Sequence, residues 1–365
     1  MRGWIILISR VFYAMSWFYL SPILPLLSRE LNFPISLAGL VAASFFLGAG
    51  SMQLPSAYLS TRLGTKRTLS LGLIVMGVAN LFVSQSNSFI ELLSAYSIVG
   101  VGASMFFSSG GGLLSYLNSR ASTVLGLYNG LFSVGGILAF LYGDIEISLG
   151  WRWPVAALGL LTLALGIITM RSSLPNPAGK WGTVKDPRVL ILGLGTSGVW
   201  GAYFALGNLY PTFASTFQGV QLSFASTLSS LLLVSSALGG FLGFLGDRVK
   251  GMGILLLPSI ASMVSILILY VNSVAGLILT GLFNELAISI MYARAASAVG
   301  YLNASISLAE VNSINMLCGI YLAPLASLFG PRMLFLLSGL GLIPLSLLAL
   351  YSSAERRMEG RSSHL

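Results

Sequence analysis

Residues 58–67 read "YLSTRLGTKR" and, 186 positions later, residues 244–251 read "FLGDRVKG". The first stretch sets Arg62, Lys66 and Arg67 close together with no acid beside them, in a chain of which only 8% is charged. The surroundings explain why it stands out. The chain has 365 residues, 56% of them hydrophobic, whereas soluble domains carry about 25% charged residues and cannot hide so much apolar surface. Lipid is the expected solvent. A helix needs about 20 apolar residues to cross the hydrocarbon, so this length allows roughly twelve crossings joined by short loops.

Twelve apolar segments can be marked: 4–27, 35–60, 68–86, 90–117, 121–143, 151–170, 189–211, 221–246, 252–271, 274–297, 305–329 and 332–351. Backbone polar groups cannot go unpaired in lipid, so spans of this length predict α-helices rather than a barrel. The first segment is too long for a signal peptide and lacks a small-residue cleavage pattern, so it is expected to remain as a helix. With the N-terminus in the cytoplasm, Arg2, Arg62, Lys66, Arg67, Arg120, Arg171, Lys180, Lys185, Arg188, Arg248, Lys250, Arg294, Arg356, Arg357 and Arg361 fall inside. Only Arg29, Arg152 and Arg332 fall outside, and Arg10 lies within the first span. The positive-inside rule then predicts a multi-pass protein of the cell membrane with both termini cytoplasmic. The net charge of +9 reads as a topology signal that also suits an anionic membrane face. Nucleic-acid binding is not expected.

The longest connection, "RSSLPNPAGKWGTVKDPR" (171–188), follows six spans and precedes six more. It divides the chain into 1–170, a cytoplasmic linker 171–188, and 189–365. A shift of 186 tests whether the halves are related. It lays "WFYLSPILP" (17–25) on "YFALGNLYP" (203–211), with Leu20 over Leu206 and Pro25 over Pro211. The same shift lays "AYLSTRLG" (57–64) on "GFLGDRVK" (243–250), with Leu59 over Leu245 and Arg62 over Arg248. Asn129 then falls on Asn315. Low-complexity apolar sequence would give scattered Leu and Gly matches, not coincident Pro, Asn and Arg. A parallel duplication implies a pseudo-two-fold along the membrane normal, a midplane cavity between the halves and alternating access by rocking.

With these features the chain resembles a major facilitator superfamily (MFS) transporter over its whole length. The family's loop between helices two and three reads Gly-x-Leu-Ala-Asp-Arg-x-Gly-Arg-Lys. Ala57, Leu59, Ser60, Thr61, Arg62, Gly64, Thr65 and Lys66 stand at those places in the first copy, and Gly243, Leu245, Gly246, Asp247 and Arg248 in the second. The resemblance implies an all-α integral membrane fold of twelve transmembrane helices in two pseudo-symmetric six-helix bundles. It also implies a conformational latch at Arg62, Gly64, Asp247 and Arg248. Thr61 replaces the family's Asp, so such a latch should be lopsided and work from Asp247. The arginine that many members carry in helix four, where it is associated with proton coupling, falls on Tyr96. The Pro of the drug-antiporter signature falls on Leu131.

Inside the spans Glu285 is the conspicuous acid, nine residues before Arg294 and thus about 13 Å from it at 1.5 Å per residue. A carboxyl at that depth must face a cavity, find a partner or carry a proton. It reads either as a substrate or proton site, or as a protonated structural acid bonded to a neighbouring helix. Glu310 lies within reach of Arg294; the other acids, Glu146 among them, are assigned to loops, tails or span ends. Arg10 could meet an anionic substrate, pair with an acid or snorkel to the interface. Helical spacing puts Tyr13, Trp17 and Ser21 near its face, and in span seven Thr196, Trp200, Tyr203 and Gly207 line up, with Asn208 beside them. The resemblance places helices one, four, seven and ten around the cavity, which makes Tyr13, Trp17, Trp200, Tyr203 and Asn208 candidates as well as packing residues. Asn129 and Asn315 are substrate contacts or interhelical hydrogen bonds.

Cys318 is the single cysteine and His364 the single histidine. Together they exclude His/Cys metal sites and Ser-His or Cys-His nucleophiles, so neither a cofactor nor an enzyme is expected. "GLGTSG" (193–198) matches a dinucleotide pattern but lies in a membrane span, and the sequon at Asn303 is expected to be cytoplasmic. The reading is a secondary transporter that moves a small organic solute, with protons as a possible second cargo through Glu285, and that works as a monomer. The alternatives are a facilitative uniporter, an efflux pump for amphipathic compounds and, last, a transporter-like receptor or scaffold.

Overall fold

The computed structural model describes residues 3–118, 121–178, 186–245, 253–299 and 304–362. Asp247 and Arg248 lie outside the described residues. The first half contains α1 (Trp4–Phe18), α2 (Leu24–Glu30), α3 (Gly39–Leu63), α4 (Thr65–Ser84), α5 (Phe89–Leu117), α6 (Ala121–Leu149) and α7 (Arg152–Arg171). The second contains α8 (Pro187–Phe217), α9 (Leu222–Phe241), α10 (Gly253–Ile268), α11 (Ser273–Val299), α12 (Ala304–Gly319), α13 (Leu322–Leu328), α14 (Met333–Leu342) and α15 (Leu345–Ser362). Among the described residues, eleven helical segments are long and apolar enough to cross a membrane, and Gly253–Ile268 is apolar but shorter. No strand is present among them.

Among the described residues three of the expected spans are broken into two α-helices, and each of these breaks has a proline within a turn of it. Proline has no N–H and leaves the carbonyl four residues earlier without a helical donor. In span one Pro22 and Pro25 separate α1 from α2 through the short 3-10 turn Ser21–Ile23. In span eleven Pro324 follows the turn between α12 and α13, and in span twelve Pro344 sits in the turn between α14 and α15. Pro211, by contrast, lies inside an unbroken α8. Its orphaned carbonyl belongs to Gly207, and the Ser21 hydroxyl of the other half reaches the carbonyls of Gly207 (3.0 Å) and Asn208 (2.8 Å). Ser21 and Gly207 are 186 positions apart, the offset of the internal repeat.

The packing is two-fold. Within the first bundle α3 lies on α5, and the corresponding pair in the second is α9 on α11. Both pairs meet backbone to backbone through reciprocal glycines. A Cβ on Gly48 would lie 1.9 Å from the Ser97 carbonyl oxygen, and one on Gly100 would lie 2.1 Å from that of Phe45. The mirror contacts are Gly239 at 2.2 Å from the Leu282 oxygen and Gly281 at 2.1 Å from the Leu232 oxygen. In lipid, close backbone approach of this kind replaces the hydrophobic effect as the force between helices. The bundles touch each other mainly where α3 meets α12 and where α6 meets α9; these two contacts are images of one another under the pseudo-two-fold.

The linker starts by folding back on the first bundle. Asn176 donates to the Leu63 carbonyl (2.7 Å) and accepts from the Arg67 amide (3.1 Å), so it caps α4 from outside the helix. Past the undescribed part of the linker, Asp186 caps α8 by accepting from the Arg188 amide (2.9 Å) and forms an ion pair with the Arg188 side chain (2.6 Å). Hydrogen bonding to the Arg188 side chain, with its backbone amide, holds the Asp186 carboxyl below its usual range. This cap therefore adds stability above the ordinary carboxylate range and loses it as pH falls through the lowered value.

Gly48→Ala is expected to lower the melting temperature in detergent, by an amount equivalent to about 1–3 kcal/mol of overpacking. At Gly339 nothing lies within 4 Å of an added Cβ, and Gly339→Ala is expected to be neutral or slightly stabilising. Equal melting temperatures for the two variants would contradict the reciprocal-glycine packing.

Candidate functional site

A cavity of about 330 Å³ separates the two bundles. From the first bundle α1 contributes Arg10, Tyr13 and Trp17, α5 contributes Phe107, and α6 contributes Asn129, Phe132 and Ser133. From the second, α8 contributes Trp200 and Phe204, α9 Ser236, Gly240 and Phe241, α11 Glu285, Ser289 and Tyr292, and α12 Asn312 and Met316. Many of these positions fall in the part of their helix nearer the chain termini. Asn129 and Phe241 are exposed there, so the cavity opens toward the end of the molecule that carries both termini.

The opposite, far end is sealed. Ser21 reaches across to Gly207 and Asn208, and the Ser226 hydroxyl donates to the Phe140 carbonyl (2.5 Å). Ser327 donates to the Ser36 carbonyl (2.7 Å) and accepts from the Gly39 amide (3.1 Å). Between seal and cavity lies a floor of rings, with Trp17 5.1 Å from Phe204 and 6.3 Å from Trp200 (centroid distances).

Arg10 is buried in the first-bundle wall. Its guanidinium carbon lies 4.2 Å from the Tyr128 ring centroid, 4.4 Å from that of Tyr13, and 5.1 Å from those of Phe107 and Phe132. Nε donates to the Tyr128 carbonyl (3.2 Å), while Nη1 has no hydrogen-bond partner. Such a cage holds the charge by ring quadrupoles, each contact worth about 2 kcal/mol when desolvated, and leaves a donor free. Opposite it, Glu285 packs on Gly239 and Gly240: a Cβ on Gly239 would lie 3.2 Å from Glu285 Cβ, and one on Gly240 would be in ordinary contact with Glu285 Cγ at 3.5 Å. Among the described residues no ion pair within 4.0 Å involves Glu285.

Of the residues singled out in sequence, Arg10, Tyr13, Trp17, Asn129, Trp200 and Glu285 are brought together at the cavity. Tyr203, Asn208 and Asn315 do not line it. Tyr203 shares a hydrogen bond with Ser236 (2.6 Å), Asn208 bonds back to the Phe204 carbonyl (2.9 Å), and Asn315 accepts from Thr196 (3.0 Å) within the second bundle. Each serves packing in this conformation. Phe107, Phe132, Tyr292 and Asn312 were not singled out; the Tyr292 hydroxyl donates to the Asn312 side-chain oxygen. At the first-copy loop, Arg62 donates to the Tyr58 hydroxyl (2.9 Å), and Gly64, at φ 87°, is covered by the Asn176 side chain. That loop is tied to its own bundle and to the linker. Glu146 lies in the last turn of α6, at a span end as expected, and is fully buried there.

In a Cys318→Ser background, Asn129→Cys is expected to react readily with a maleimide from the terminal end, and Ser226→Cys to be protected. Equal reactivity would contradict the one-sided opening.

A bacterial homologue of the human lysosomal transporter Spinster, solved in an inward-facing and occupied conformation, matches this fold with a TM-score of 0.72. The match covers 96% of this chain and 94% of the other at 17% identity; an unoccupied inward-facing structure gives 0.71. In sequence the chain is similar to the multidrug efflux protein YfmO of Bacillus subtilis, at 26% identity over 190 residues, or 51% of this chain and 48% of that protein. It is also similar to a protein described as a probable nitrate transporter, NarT, of Staphylococcus epidermidis, at 23% identity over 277 residues, or 71% of this chain and 70% of that one. The aligned stretch thus spans about half the length of the efflux protein. A sequence profile described as Major Facilitator Superfamily matches residues 6–313. With eleven membrane-length apolar helical segments and one shorter one among the described residues, set in two pseudo-symmetric bundles around a central cavity, this chain belongs to the Major Facilitator Superfamily of membrane transporters.

Proposed function

We propose that this protein carries a small organic anion across the cell membrane by alternating access, together with a proton bound at Glu285. The observation that carries this reading is the placement, on opposite walls of a cavity, of the caged Arg10, with Nη1 unpartnered, and Glu285, which has no ion-pair partner among the described residues. An anion entering such a cavity is drawn to Arg10 and repelled by an ionised Glu285. Binding is therefore easier when Glu285 holds a proton, and by linkage the bound anion favours that proton in return. Anion and proton then move together. The aromatic floor suits an anion with an apolar body, and the relative named for nitrate transport fits the anion part of this reading.

Residues 1–170 and 189–365 act as the two rocking units, with the terminal end in the cytoplasm as the cation distribution predicts. The open terminal end is then an inward-facing state of a monomer. Asp247 remains the candidate acid for a latch on the cytoplasmic side.

A thermal-shift screen in detergent over carboxylates, sugars, amino acids and lipophilic cations is expected to show stabilisation by carboxylates. Arg10→Ala is expected to lose about 1.5–3 kcal/mol of the affinity for the best of them, the usual range for a hydrogen bond to a charged group. Affinity should fall as pH rises through the titration of Glu285, and Glu285→Gln should remove that dependence. Carboxylate affinity unchanged in Arg10→Ala would overturn the anion assignment, and an unchanged pH profile in Glu285→Gln would leave a uniporter. A second reading, efflux of amphipathic cations, is favoured by the rings of Trp17, Trp200, Phe204 and Phe241. Stabilisation by lipophilic cations alone would select it.

A further inference from the structure

The two seams at which the bundles meet are equivalent under the internal repeat, yet they differ at mid-depth. Where α3 meets α12, the Ser313 hydroxyl donates across the seam to the Gly50 carbonyl (2.8 Å). A Cβ on Gly50 would lie 2.9 Å from Met316 Cβ and 3.0 Å from Leu317 Cγ, so the helices are in close contact there. A shift of 186 carries Ser313 to Leu127, Met316 to Gly130 and Gly50 to Ser236. Leu127 has no hydroxyl to send across the α6–α9 seam, and it is exposed. The Ser236 hydroxyl does not supply the link from the other side, because it is bonded to Tyr203 (2.6 Å) and to the Leu232 carbonyl (2.8 Å) within its own bundle. Gly130 has no side chain where Met316 fills the other seam. An added Cβ at Gly126 or Gly130 would meet nothing within 4 Å.

The resulting gap joins the central cavity to the lipid-facing side of the molecule. Gly126, Asn129 and Gly130 of α6 and Gly240 and Phe241 of α9 all line the cavity. Phe241 is nevertheless 81% exposed, so a single ring borders both spaces. The flanking surface is apolar, with Val134 and Leu138 of α6 and Leu238 of α9 exposed. Gly130 lies nine residues after Ala121, the first residue of α6, or about 13 Å along the helix. Arg120 immediately precedes that helix, which puts Gly130 within the hydrocarbon on the terminal side. On the cavity side of the same two turns, Tyr128 and Phe132 hold the Arg10 guanidinium, at 4.2 and 5.1 Å. The cationic group and the opening to lipid thus share one stretch of α6.

We propose that the gap between α6 and α9 is a side portal to the terminal-side leaflet, and that the cargo is a single-chain amphipathic carboxylate with its head at Arg10 and its tail passing through the portal into lipid. The carboxylate supplies the acceptor that Arg10 Nη1 lacks. Phe132 and Phe241 flank the path of the tail, and lipid takes the part that the cavity does not hold. A tail needs no hydrogen-bond partner there, so the apolar frame of the gap costs it nothing. The proposal rests on the anion reading above and adds the class of anion; it does not depend on proton coupling.

The test uses purified full-length protein in nanodiscs, with butanoate and dodecanoate as probes and the ratio of their affinities as the readout. Comparing each variant with the wild type cancels the partitioning of dodecanoate into lipid. Gly130→Trp, which fills the portal, is expected to lower the dodecanoate-to-butanoate ratio by about tenfold or more, since each methylene left unburied costs roughly fourfold. Val264→Trp, at an exposed position of α10, is expected to keep the ratio. Arg10→Ala is expected to weaken the binding of both acids alike. In a Cys318→Ser background, a spin label on Gly130→Cys is expected to be relaxed more by lipid-dissolved oxygen than by a water-soluble nickel chelate. An unchanged ratio in Gly130→Trp, or stronger relaxation by the nickel chelate, overturns the portal and leaves the anion reading standing. Unchanged affinity for both acids in Arg10→Ala overturns the anion reading and this proposal with it.

Discussion

The Ser21 hydroxyl set against the Gly207 carbonyl is the contact on which the rest of this architecture turns. Pro211 has no N–H for that carbonyl, and lipid has no water to replace it. A donor from the other bundle therefore serves two ends at once: it lets α8 run unbroken through its proline, and it joins the bundles. The two residues are equivalent under the internal repeat, 186 positions apart, so the pseudo-two-fold axis passes between them. Equivalent loss of donors in α1 was met differently. Pro22 and Pro25 break that span into a short 3-10 turn, and the turn carries Ser21 to the joint.

Above this joint the rings of Trp17, Trp200 and Phe204 close the floor, and the cavity widens toward the terminal end. Two ionisable groups in such a place are costly, and each is held by a different device. Arg10 is enclosed by four aromatic rings and one backbone carbonyl. Glu285 has no ion-pair partner among the described residues and faces the open space. Ionisable groups in the membrane that are not neutralised by their neighbours are the places where cargo and protons are handled. The bundles supply the walls, and in the proposed reading these two side chains supply the chemistry.

Much of this was legible in the sequence, and the exceptions have physical reasons. The offset of 186 carried the two-bundle fold because matched Pro, Asn and Arg residues survive where apolar positions drift. Arg10 and Glu285 stood out because lipid tolerates few charges. Tyr203, Asn208 and Asn315 were harder to place, since helical spacing gives a face but not what the face meets. From Val189 to Ala214 α8 is buried almost all round, so its polar residues point to several neighbours and only some to the cavity. Phe107, Phe132 and Tyr292 look like packing aromatics until the helices are assembled. Glu146 lies at the end of its span, as expected, but its burial was not legible, because α6 was expected to end near 143. The helix instead runs to Leu149 and stops before Gly150, whose φ of 79° suits glycine.

The proposed rocking of the two bundles makes the Ser21–Gly207 contact part of the seal that holds the far end shut, so that one end opens only as the other closes. Spin-label distances at both ends of the same protein test it most directly. One label pair joins Leu149 and Val271 at the far end, and another joins Tyr116 and Phe241 at the terminal end, all four being exposed. Replacing Ser21 with Ala removes the hydroxyl from the joint. The account predicts that this lengthens the far-end distance and shortens the terminal-end distance together. A far-end distance that stays fixed, or that lengthens with no change at the terminal end, would contradict it.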